Sequence, residues 1–172
     1  MQSENMIIGY LEILENNSME KIIGRCDKEN CEIYINENRI TLDNEFLFEK
    51  NGKYTIKFIF RKLLKSTYQL FDGCKSFISL DLSKFNTQNV EDMGYMFRDC
   101  KSLKSLDLSN LNTHNVRKMD FMFNECKSLI SLDLSSFNTQ NVKNMKFMFK
   151  DCKSLVSLDL SKFNTQKYKI WI

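Results

Sequence analysis

From Cys74 onward the apolar residues return with two interleaved spacings. Leu103, Leu106, Leu108 and Leu111 read LxxLxLxxL, and the alternation through Leu106, Asp107 and Leu108 is that of a very short strand with both leucines facing one side. A coil follows at Asn112 and Thr113. Val116, Met119, Met122 and Phe123 then fall at i, i+3, i+6 and i+7, which predicts one face of a helical turn or two, opened by the asparagine or threonine before it. The whole pattern recurs, because Cys74, Cys100, Cys126 and Cys152 stand 26 residues apart with leucine, asparagine, methionine and phenylalanine in constant phase.

One unit is therefore strand, turn, short helix and return. A single unit cannot bury its own leucine face, so successive units must stack, with like residues about 4.8 Å apart along a parallel ladder. The fold class expected is an α/β solenoid of leucine-rich repeats, built of short parallel strands plus short helical turns. Repeats occupy 74–99, 100–125 and 126–151, with a truncated terminal repeat at 152–172. A degenerate first repeat lies at 48–73, where Tyr54, Ile56 and Ile59 match Leu80, Leu82 and Phe85, and Leu64, Leu70 and Phe71 match Val90, Met96 and Phe97.

Upstream the phase is lost. Residues 1–52 read as a small antiparallel β cap domain ahead of the solenoid at 53–172, with strands expected at 8–13, 32–35 and 46–48. Asn51-Gly52 signals a two-residue hairpin into the alternating run 54–58. That last strand is expected to be the first rung of the repeat ladder, so that the cap covers an edge otherwise left open.

Composition narrows the class. Proline and alanine are absent and glycine appears five times in 172 residues, which argues against helical bundles and proline-rich linkers; 12% aromatic and 42% hydrophobic residues argue for a folded core. No apolar run approaches the roughly 18 residues of a membrane span, and the N-terminus lacks the basic region of a signal peptide. The sequence alone thus favours a soluble, cytoplasmic chain without membrane insertion. The net charge of +3 conceals a split: residues 1–50 hold eleven acidic and five basic side chains, leaving twenty basic and eleven acidic of the 25 and 22 in the chain. The basic residues are interleaved with acids and no aromatic-plus-basic platform stands out, so nucleic acid is not the expected partner.

Little in the chain suggests catalysis. The one histidine, His114, shares its phase with Gln88, Gln140 and Gln166, a variable polar turn position; phosphate loops, GxSxG and metal-ligand clusters are missing. No catalytic residue, metal or cofactor is expected, and the chain is read as no enzyme. The cysteine column reads as buried reduced thiols, with Cys26 and Cys31 able to pair across a loop in an oxidising compartment.

Two surfaces remain as binding candidates. Asp81, Asp107, Asp133 and Asp159 fall between inward leucines, on what should be the concave sheet, flanked by serines such as Ser105 and Ser131. Four carboxylates about 4.8 Å apart repel one another, so either serine, water and nearby lysines offset the column, or a cation or basic partner completes it. If the column is the functional face, Asn at 107 and 133 should raise the stability of the free protein while weakening partner binding. Tyr95, Phe121 and Phe147 should form an outer apolar stripe. With Tyr168, Ile170 and Trp171, which replace the expected closing turn of the last repeat, they make a candidate assembly surface. The expected function is protein recognition through the Asp/Ser face, with end-to-end self-association into homo-oligomers as the alternative.

The run MFxxCxSLxSLDLSxFNTxNVxxM, covering about residues 48–165, resembles the BspA-type leucine-rich repeats in their mycoplasma and ciliate variant. The resemblance implies a repeat fold and a surface or adhesion role, hence the cell surface as a second candidate location. It implies no activity.

Overall fold

A computed structural model describes residues 4–41 and 43–163. Seven strands form: β1 (Asn5–Ile13), β2 (Ser18–Lys21), β3 (Cys31–Ile35), β4 (Asn38–Ile40), β5 (Glu45–Phe48), β6 (Gly52–Phe60) and β7 (Phe77–Asp81). Alternation accounts for the longer ones. Cys31, Ile33 and Ile35 of β3, and Ile56, Phe58 and Phe60 of β6, point into the core while the residues between them face outward. A five-stranded sheet has the order β4-β3-β6-β1-β7, and β2 pairs with β5 in a separate two-stranded sheet. Every pairing among these strands is antiparallel.

The α/β leucine-rich-repeat solenoid expected from the sequence is not what forms. No helix is present among the described residues, so none is long and apolar enough to cross a membrane. The segments expected to be helical are successions of turns, and the reason lies in where their amide protons go. An α-helix needs N–H groups bonded four residues back. Here Met93, Tyr95, Phe97 and Asp99 donate theirs to the carbonyls of Lys118, Asp120, Met122 and Asn124 at 2.8–2.9 Å, 25 residues ahead. Met119, Phe121, Phe123 and Glu125 repeat the pattern into the next unit. Every second donor is left-handed: φ is 59° at both Tyr95 and Asp99, 55° at Phe121 and 60° at Glu125. Such a backbone cannot continue as a right-handed helix.

The leucine segments differ from expectation too. Only β7 is a strand; beyond it single bonds join the units, from Lys104 N–H to the Ile78 carbonyl, Ile130 to Lys104 and Val156 to Ile130, and Ser131 and Ser157 form an isolated parallel bridge. The expected concave parallel sheet is therefore an extended coil. The Asn51-Gly52 hairpin does not form either, since β5 pairs with β2 while β6 lies between β3 and β1. Nor is β6 the first rung. β1 separates it from β7, pairing with β6 from Asn5–Phe60 to Ile13–Gly52 and with β7 through Ile8–Asp81 and Gly9–Leu80. Gly9 has no Cβ because the Phe77 ring lies where one would stand.

What holds the repeated part together is the side-chain columns. Phe71, Phe97, Phe123 and Phe149 stack face to face at centroid distances of 6.1, 5.6 and 5.7 Å, fully buried beside Met96, Met122 and Met148. All six cysteines are free thiols. Those of Cys100, Cys126 and Cys152 each donate to the phenylalanine carbonyl of the unit before, at 3.2, 3.0 and 3.0 Å, and burial holds all three above the usual thiol pKa. Threonines add a second seam, with Thr87 and Thr113 hydroxyls donating to the Asn112 and Asn138 carbonyls.

Candidate functional site

The aspartate column is fixed by local turns. Asp81, Asp107, Asp133 and Asp159 each accept the backbone N–H of the serine two residues on, at 2.8, 2.9, 2.8 and 2.8 Å. Hydrogen bonds from the same serines are the main reason why Asp107, Asp133 and Asp159 hold their protons more weakly than ordinary aspartates, the backbone N–H leading at Asp107 and Asp159 and the Ser135 hydroxyl at Asp133; repulsion from the neighbouring carboxylate is a smaller, opposing effect at Asp107 and Asp133. In this fold the ionised form of these carboxylates is favoured over the protonated one. A depressed carboxylate pKa contributes stability above the unfolded-state value of about 3.9 that is lost as pH falls through the folded value. Thermal melts between pH 6 and pH 2 should show wild type losing more stability on acidification than an Asp107→Asn, Asp133→Asn double variant. Equal losses would show that these caps carry no linkage.

In the same segments lie two large apolar side chains open to solvent, Ile130 at 52% exposure and Val156 at 84%. Ser105 and Ser131 are exposed as well. This surface thus presents ionised carboxylates, hydroxyls and aliphatic groups at the repeat spacing.

Across the molecule runs the second candidate. Ser66, Asp92, Lys118 and Asn144 form successive parallel bridges, one per unit. Next to them Tyr95 stacks on Phe121 at 4.7 Å, Phe121 meets Phe147 at 5.0 Å, and Tyr68 packs edge-on against Tyr95 at 5.5 Å. All four rings are half-buried. Left-handed φ at Tyr95, Phe121 and Phe147 is costly for aromatic residues, on the order of 1–3 kcal/mol each, and stacking in register offsets it. The N-terminal region contributes to a cleft of about 840 Å³, which Arg25, Cys26 and Asp27 line together with Tyr68, Tyr95 and Asp120. Lys118 is ion-paired with Asp92 at 3.2 Å. Burial, with help from the Asp92 charge, holds the Asp120 carboxyl above the ordinary range.

With this geometry in view, the comparison with known families decides the affiliation. The model of the family described as Mycoplasma protein of unknown function, DUF285, matches residues 65–171. The chain belongs to that family. Searches of curated proteins and of solved structures returned no match. The DUF285 region begins one residue before Ser66, the first bridge residue, so it contains the aromatic column and the Asp92, Lys118 and Asn144 row. The Arg25–Asp27 wall of the cleft lies outside it.

Of the residues singled out in the sequence, Tyr95, Phe121 and Phe147 are brought together in one column, while Tyr168, Ile170 and Trp171 lie outside the described residues. His114 Nδ1 sits 3.3 Å from the Asn138 amide on an exposed turn. Cys26 and Cys31 are both free; a hydrogen bond from the Cys31 thiol lowers the Cys26 pKa and raises its own. No group of three or more His, Cys, Asp or Glu is placed to hold a metal ion among the described residues. Sequence reasoning passed over Arg25, Tyr68, Asp92, Lys118, Asp120 and Asn144. Asp92, Lys118 and Asn144 share one phase of the repeat with three different side chains, so the signal available was variation at the position just before the constant Met93, Met119 and Met145.

Proposed function

We propose that this chain is a non-enzymatic protein-recognition module whose contact surface is the aspartate and serine row together with Ile130 and Val156. The observation that carries this reading is the exposure of those two aliphatic side chains among carboxylates held ionised by their turns. An aliphatic anchor ringed by fixed polar groups is the composition of a protein contact. A place at the cell surface and an adhesive role, as in the BspA-type proteins it resembles, belong to the same proposal. Immobilised wild-type protein should retain a partner from host or native extract that an Ile130→Asp, Val156→Asp double variant of unchanged melting temperature does not retain. Retention by both proteins alike would reject this surface.

A further inference from the structure

We infer that the cleft lined by Arg25 and the tyrosine pair is a second binding site, and that its ligand is a neutral oligosaccharide. Its volume of about 840 Å³ falls in the range of small-ligand pockets, and the groups that reach it decide what it accepts. The phenol hydroxyls of Tyr68 and Tyr95 and the guanidinium of Arg25 have no hydrogen-bond partner among the described residues, and the side-chain amide nitrogen of Asn144 has none either; Asp120 is in no ion pair. Donors and acceptors are thus both unengaged, on planar side chains, around an aromatic wall. Such a set suits hydroxyl groups, each of which donates and accepts.

Charge excludes the polyelectrolytes. Arg25 and Lys118 stand against Asp27, Asp92 and Asp120, so neither a polyanion nor a polycation meets a field of one sign. Main-chain geometry excludes a peptide added as an extra strand. The amides along this wall already donate to the next unit, Thr67 to Asp92, Gln69 to Gly94, Met93 to Lys118 and Tyr95 to Asp120, so no row of free backbone groups is offered. Tyr68 has no ring stacked flat on it, which leaves a face for the C–H side of a sugar ring. Recognition here therefore runs through side-chain tips and one aromatic face.

The experiment is saturation-transfer NMR and calorimetry on the full chain with maltotriose, cellotriose and chitotriose, and in parallel with a pool of unstructured peptides. At least one trisaccharide should bind, with a tenfold or greater loss of affinity in Tyr68→Ala and in Asp120→Asn, and no change in Ile130→Asp, Val156→Asp. Should Tyr68→Ala fail to fold, Asp120→Asn decides, since it removes a partly buried charge and leaves the fold intact. The inference is overturned if none of the three sugars binds at millimolar concentration, if binding is indifferent to position 120, or if peptides alone occupy the cleft. None of these outcomes touches protein capture through Ile130 and Val156, so the two readings fail separately.

Discussion

Phe123→Ala should lower the free energy of unfolding by about 3–5 kcal/mol, the cost of deleting a buried aromatic ring and leaving its cavity. The ring is 0% exposed and lies between Phe97 and Phe149, at 5.6 and 5.7 Å, so its removal takes one contact from each neighbour and interrupts the column at its middle. The cavity cannot collapse easily, because the backbone on both sides is held by bonds to the adjoining units, Phe97 N–H to the Met122 carbonyl and Phe123 N–H to Met148. Phe121→Gly, two residues away, makes the informative comparison. It also loses a ring stack, but that ring is half-buried and glycine relieves the left-handed φ of 55°. Urea titration at constant m should therefore show a markedly smaller loss for Phe121→Gly than for Phe123→Ala. Equal losses would mean that the outer column contributes as much to the stack as the inner one.

Gly24→Ala should be the second most damaging change, at about 3 kcal/mol, the upper part of the range for overpacking a site that cannot yield. A Cβ at this position would overlap the Gln69 carbonyl oxygen, a main-chain atom that no rotamer change can move aside. The two strands of chain touch because Gly24 N–H donates to the Leu70 carbonyl at 2.7 Å and Arg25 N–H to Gln69 at 2.9 Å. These bonds seat the N-terminal region against the first turn of the stack and set Arg25 in the cleft. The variant should therefore lose thermal stability and saccharide binding together, whereas Gly52→Ala, where a methyl group would meet no atom within 4 Å, loses only what its φ of 143° imposes. A Gly24→Ala protein as stable as wild type would show that this close approach is absent in solution.

The sequence by itself determined the 26-residue phase, and with it which side chains stack and which face inward. Leu106, Leu108, Val116, Met119, Met122 and Phe123 are buried as their spacing predicts, because a residue repeated in every unit always meets its own kind in the next. Strand-forming runs near the N-terminus were legible for the same local reason, alternation of apolar and polar positions. Local pattern could not decide the conformation of the methionine segments. Spacing of i, i+3, i+7 is shared by a helix and by a succession of turns, and the choice rests on whether an amide bonds four residues back or 25 residues ahead, a partner that exists only once the units are stacked. Tertiary structure likewise decided that β1, first in sequence, lies between β6 and β7 and so displaces both the hairpin and the expected first rung. The cleft was hidden for a related reason. Arg25 and Tyr68 are 43 positions apart and share no period, and only the Gly24 and Arg25 main-chain bonds, formed after folding, set Arg25 in the cleft that the tyrosines line.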